Sequence, residues 1–155
     1  HLRSRWGGPE SRLRLQEGET DMRLMTKVLI PGLMLGLTAT AATAKVPLRD
    51  VPEIDNPMFA VAMAIEISDK CDTIKPRTLK GVTFLWNLAD KAKSMGYSKA
   101  EIDAYSKSDE EKARMRVKGE AYMRDMGLDP AKAEDLCKLG EMEMAQGTQI
   151  GSFLR

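Results

Sequence analysis

The sequence predicts an all-α fold: a compact bundle of about five helices with one disulfide, preceded by a signal peptide and an extended arm. Three observations predict it. Apolar residues recur at three- and four-residue spacing, and no stretch alternates with period two. Helix-starting and helix-stopping residues bracket those periodic stretches. Two cysteines, Cys71 and Cys137, lie far apart in a chain that reads as exported. The length of 155 residues suits one domain.

The elements follow in order. Residues 1–21 show no periodicity and carry the breakers Gly7, Gly8 and Pro9. The first methionine is Met22, so this stretch is expected to be upstream sequence carried into the gene model. Met22 to Lys27 is short and basic, Val28 to Ala44 is uncharged, and the run ends Ala42-Thr43-Ala44. That is the layout of a secretory signal peptide over residues 22–44. Cleavage is expected between Ala44 and Lys45, with Ala42 and Ala44 as the small residues that the peptidase reads. A retained anchor is disfavoured by Pro31, Gly32 and the weakly apolar Ala/Thr end.

The remaining segment, 45–155, carries 18 Lys plus Arg, 19 Asp plus Glu, and no histidine. Pro47 and Pro52 predict an extended arm over Lys45 to Asp55. Asn56-Pro57 reads as an N-cap followed by proline at the first helical position. From Met58 to Ile67 the chain is apolar almost all round, which predicts a central, buried helix. A second helix is expected from Arg77 to Met95. Leu79, Val82, Trp86 and Ala89 form one stripe, and Leu85, Leu88, Ala92 and Met95 form a second, together a broad apolar face. Gly96 is the stop. Ser98-Lys99-Ala100-Glu101 and Ser108-Asp109-Glu110-Glu111 are capping boxes that open a third and a fourth helix. The fourth is expected to run to about Met126, with Met115, Gly119, Tyr122 and Met126 on one side. Asp129-Pro130 is expected to start a fifth, with Ala133, Cys137, Gly140 and Met144 on one face. Gly147 and Gly151 loosen the end, and Ile150, Phe153 and Leu154 fold back onto the core.

The chemistry is bounded mainly by absences. Without histidine the segment cannot build Ser-His-Asp or Cys-His systems, nor His-ligated metal sites. No glycine-rich phosphate loop occurs, and no cofactor or metal is expected. The even charge balance argues against nucleic-acid binding. Cys71 and Cys137 most simply form one disulfide, worth about 4 kcal/mol for a loop of this size. A redox-active pair would favour Cys-x-x-Cys spacing. Glu66, between Ile65 and Ile67, is the best candidate for a general acid if buried. Its other reading is a helix-edge carboxylate paired with Lys70 four residues on. Lys112, Arg114, Arg116 and Lys118 read as a solvated face, with Glu110–Arg114 and Arg116–Glu120 pairs. Eight methionines fall mostly on core stripes; Met142 with Met144, and Met123 with Met126, are the close pairs that a copper(I) reading would use.

Several segments carry a resemblance: Lys45-Val46-Pro47-Leu48-Arg49-Asp50-Val51, Gly96-Tyr97-Ser98-Lys99-Ala100-Glu101-Ile102, Glu111-Lys112-Ala113-Arg114-Met115-Arg116, Cys137-Lys138-Leu139-Gly140 and Ile150-Gly151-Ser152. On these the chain resembles a family of small exported bacterial proteins known as domain of unknown function 5333. The resemblance implies an alphaproteobacterial, periplasmic setting and no assigned activity or site residues. A looser likeness of architecture is to periplasmic acid-stress chaperones. The sequence therefore leads to an exported, non-enzymatic helical protein of the periplasm, a protein-interaction or accessory factor with a protein partner and no membrane span after cleavage. The alternatives are a chaperone and, behind it, a small hydrolase using Glu66.

Overall fold

The computed structural model describes residues 44–155. The expectations for residues 1–21, for the signal peptide and for Ala42 lie outside the described residues. Within them the fold is all helical, with α1 (Pro52–Lys70), α2 (Thr78–Ser94), α3 (Lys99–Lys107), α4 (Asp109–Asp125), α5 (Ala133–Gln146) and a short α6 (Gln149–Ser152).

α1 is the central helix, as its all-round apolar pattern requires. It buries Ile54, Asp55, Ala60, Val61, Met63, Ala64 and Ile67. It begins five residues earlier than Asn56-Pro57 suggested. Pro52 occupies the first helical position and Pro57 lies inside the helix. The first four amides of a helix have no intrahelical partner, so Pro57, at the sixth position, removes only one hydrogen bond. The arm is correspondingly not extended. Leu48–Asp50 form a 3-10 turn, and Leu48 and Val51 are buried. The Tyr97 hydroxyl donates to the Val46 carbonyl at 2.5 Å, which fastens the arm beside α3.

α1 spans two apolar clusters. The larger gathers Val61, Met63, Ile67, Ile74, Met123, Leu139, Phe153 and Leu154, among others. The smaller joins Leu48, Val51 and Ile54 to Leu88 and Ala92 of α2, and Phe84 packs against both. Cys71 and Cys137 are disulfide-bonded, with Cα atoms 5.2 Å apart, and tie the end of α1 to α5.

Local end signals hold. Ser98 and Glu101 form the full capping box. Ser108 caps α4 through the Glu111 amide at 3.2 Å, but the return bond is missing because the Glu111 carboxylate turns to Arg49 and Arg114. Gly96, Gly127 and Gly147 follow α2, α4 and α5 with positive φ, the conformation that favours glycine.

Three faces differ from expectation. α5 starts at Ala133, because Asp129 turns back to accept the Ala131 amide at 2.9 Å instead of capping a helix. Its core side is Leu136, Leu139, Gly140 and Glu143, a rotation away from Ala133, Cys137 and Met144. On α4, Met123 is buried and Met126 is exposed. Gly151 does not loosen the C-terminal segment. It lies in α6 against the α5 backbone, where a Cβ would stand 2.6 Å from the Met144 amide nitrogen. Ile150, Phe153 and Leu154 are buried as expected. The end of the chain is pinned by Lys75–Arg155 backbone bonds in both directions, at 2.7 and 2.9 Å, and by Arg77 donating to the Phe153 carbonyl.

Candidate functional site

The polar groups inside the fold are tied to one another. Asp55, on the first turns of α1, is 5% exposed. It accepts from the Tyr105 hydroxyl at 2.6 Å and from both terminal nitrogens of Arg114, with Lys118 Nζ at 3.7 Å. Burial pushes the Asp55 carboxyl up, but Arg114, Tyr105 and Lys118 outweigh it and hold the carboxyl below its ordinary value. Burial, and then the bond to Asp55, push the Tyr105 hydroxyl far up, while the Asp55 bond raises Arg114 further. Glu111 accepts from Arg114 Nε at 2.7 Å and pairs with Arg49, which also reaches Glu110 at 3.1 Å. This network replaces the Glu110–Arg114 and Arg116–Glu120 pairs expected on α4; Glu120 pairs instead with Arg124 at 3.2 Å.

A second buried carboxylate, Glu143, is 1% exposed and accepts from the Tyr122 and Thr148 hydroxyls. Burial, and then that bond, push the Tyr122 hydroxyl up to about 12. Among the described residues every buried side-chain nitrogen and oxygen has a hydrogen-bond partner. A catalytic carboxylate needs a free face toward a substrate, and here Asp55 and Glu111 spend their oxygens on guanidinium and phenol donors.

Glu66 is half-exposed and stands 3.6 Å from Lys70, the helix-edge arrangement. Ala44 and Lys45, at the expected cleavage point, are exposed, and Lys45 pairs with Glu101 at 3.2 Å. The methionines do not gather into one cluster: Met63, Met115 and Met123 are buried, whereas Met95, Met126 and Met142 are exposed. No group of three His, Cys, Asp or Glu side chains among the described residues is placed to hold a metal.

Asp55 and Glu143 were missed in the sequence, and Arg114 was read there as part of a solvated face paired with Glu110 rather than with Asp55. Asp55 and Arg114 stand 59 positions apart, so no local spacing joins them. Glu143 carries part of the signal that singled out Glu66, an acid flanked directly by apolar residues, here Met142 and Met144, although Glu141 stands two positions before it.

What the fold leaves open is the outer face of α2. The helix turns Leu88 and Ala92 inward, with Phe84 and Leu85 partly buried. Three of the four residues of the other predicted stripe face out, Leu79 at 79% exposed, Trp86 at 65% and Val82 at 37%, while Ala89 is partly buried. The broad apolar face of the sequence is thus split, one side on the core and one on solvent. At the N-terminal end of this ridge an open groove is lined by Arg77, Leu79, Lys80 and Arg155. Lys75 is held beside Arg155 by the backbone bonds described above. No acid lies in the first turn of α2, and no side chain caps it. None of Lys75, Arg77, Lys80 and Arg155 forms an ion pair among the described residues, whereas eleven of the other cations do. No helix among the described residues is long and apolar enough to cross a membrane.

A family model described as a family of unknown function (DUF5333) matches residues 46–155, and the chain belongs to that family. No curated protein and no solved structure matches it.

Proposed function

We propose that this family member is an exported, non-enzymatic accessory protein of the periplasm that acts by docking through the outer face of α2. One observation carries the reading: Leu79, Val82 and Trp86 form a continuous apolar ridge at helical spacing that nothing in the described fold covers. Isolated apolar side chains on a surface are ordinary, but a contiguous ridge rimmed by polar groups marks an interaction face. Two features support the rest. The buried carboxylates Asp55 and Glu111 are held by ion pairs, and Glu143 by hydroxyls, so they serve the fold. The Cys71–Cys137 disulfide suits an oxidising compartment such as the one reached by a cleaved signal peptide. Against the hydrolase reading, Glu66 sits at a solvent edge beside Lys70.

The test places a photo-crosslinking residue at position 82 in the native host, with position 116 on α4 as control. Discrete adducts at 82, absent at 116 and lost in Trp86→Glu, are the expected outcome. Mass spectrometry of the adducts then tells protein from lipid. Equal or absent labelling at both positions would remove α2 as the contact face.

A further inference from the structure

Resting on the reading of α2 as the docking face, we propose that this face seats on an anionic phospholipid bilayer. Leu79, Val82 and Trp86 enter the boundary between headgroups and acyl chains, and Lys75, Arg77, Lys80 and Arg155 lie on lipid phosphates. The argument begins with charge. Most cations of the described surface are spent on neighbouring carboxylates: Lys70 on Glu66, Lys93 on Asp90, Lys99 and Lys107 on Asp103, Lys112 on Asp109, Arg124 on Glu120. The four beside the α2 ridge are not; Lys91, Arg116 and Lys132 are unpaired too, but these four gather at one end of the ridge, and only Asp72 offers an acid side chain within the loop that carries Lys75 and Arg77. Segregated positive charge next to exposed Leu and Trp is the composition of a helix that lies in a membrane interface.

Shape agrees. The ridge is convex, with residues at i, i+3 and i+7, so Leu79 and Trp86 stand about 10 Å apart along the axis. A bilayer receives a convex ridge without a matching groove. Lys80 has its ammonium 6.0 Å from the Phe153 ring, so its aliphatic stem lies along apolar surface with the charge at the end. The backbone pairing of Lys75 with Arg155 holds these two cations at the same end of the ridge.

The other occupants fit less well. A second copy seated in parallel would bring four cations onto four cations. Three side chains also offer only a few hundred Å², short of the roughly 800 Å² per partner in a stable interface. An acidic protein would need carboxylates in register with cations on a helix, a loop and a chain end. A phosphate surface supplies negative charge at every position.

The experiment uses the protein purified from its native host, co-sedimented with vesicles of mixed phosphatidylglycerol and phosphatidylcholine, or of phosphatidylcholine alone. Tryptophan emission is read in parallel; Trp86 is the one tryptophan of residues 45–155, and Trp86→Phe is the blank. The expected result is partition onto the phosphatidylglycerol vesicles that weakens with salt, with a blue shift that Trp86→Phe abolishes. Arg77→Glu with Lys80→Glu should weaken partition by about tenfold or more. Leu79→Ser should weaken it and reduce the blue shift, while Lys112→Glu on α4 leaves both unchanged. Circular dichroism establishes that each variant is folded. Absence of partition, equal partition onto neutral vesicles, or full partition by the charge-reversed protein overturns the proposal. Protein adducts at position 82 without vesicle binding would overturn it too, while leaving the docking role of α2 intact.

Discussion

α1 and α2 are nearly equal in length, 19 and 17 residues, and both are rich in apolar side chains. They end up in opposite situations. α1 buries seven residues and is touched by the arm turn and by α2, α4, α5 and α6, while α2 buries two. The difference teaches that an apolar stripe becomes core only when other elements arrive on its side. α1 sits where the disulfide and the α5–α6 corner close on it. α2 hangs on the inward stripe of Leu85, Leu88 and Ala92, and its outer ridge is left over.

Three measurements would break or sharpen this contrast. Replacing Cys71 and Cys137 together by serine removes the crosslink between α1 and α5. The expected loss is about 4 kcal/mol, read from denaturant unfolding. Unfolding that is indifferent to reduction would mean that the α1 side owes its closure to packing alone.

The glycines give the next test. At Gly151 a Cβ would meet the backbone of Glu143 and Met144, which cannot rotate away as a side chain can. Gly151→Ala should cost about 3 kcal/mol, the upper end of overpacking effects. Gly81, on α2, has nothing within 4 Å of such a Cβ. Gly81→Ala should therefore stabilise the protein by about 0.5–1 kcal/mol through helix propensity alone. Equal effects at the two sites would erase the distinction between a closed and an open side.

The third test concerns Asp55. Arg114→Met leaves a buried carboxylate with a phenol and a distant ammonium, at a cost of about 2–3 kcal/mol at neutral pH, below the full range for buried pairs because Arg114 is partly exposed. The sign of the pH dependence follows from the lowered Asp55 value. Its stabilisation is complete above the ordinary carboxylate value of about 3.9 and is lost as pH falls through the lower folded one. The gap between wild type and variant should thus close in acid. A gap that stays constant on acidification would assign the loss to the packing of the Arg114 stem.

Much of the helical framework was legible because its signals are local. Ser98 and Glu101 meet three residues apart, and Gly96 acts through its own φ; Gly147, expected to loosen the end, instead closes α5 in the left-handed conformation. The start of α1 was misplaced because Pro52 and Pro57 both fit a first helical position, and only the packing of Leu48, Val51 and Ile54 against Leu88 and Ala92 selects Pro52. Of the candidate site, the stripe Leu79, Val82, Trp86 was visible as part of a broad apolar face, without the side it turns to solvent. Periodicity reports that a side is apolar; it is silent on whether a neighbour comes.

The sequence by itself determined the helical class, most helix ends, the central place of α1 and the plausibility of one disulfide. These depend on contacts within a few residues or on composition. Tertiary structure alone decided that Asp55 and Arg114 should meet across 59 positions, that Glu143 should be buried against two hydroxyls, that Gly151 should lie on the α5 backbone, and that Trp86 should face solvent. Each of these is set by where helices cross, and the crossing is fixed by the summed packing of side chains from distant parts of the chain.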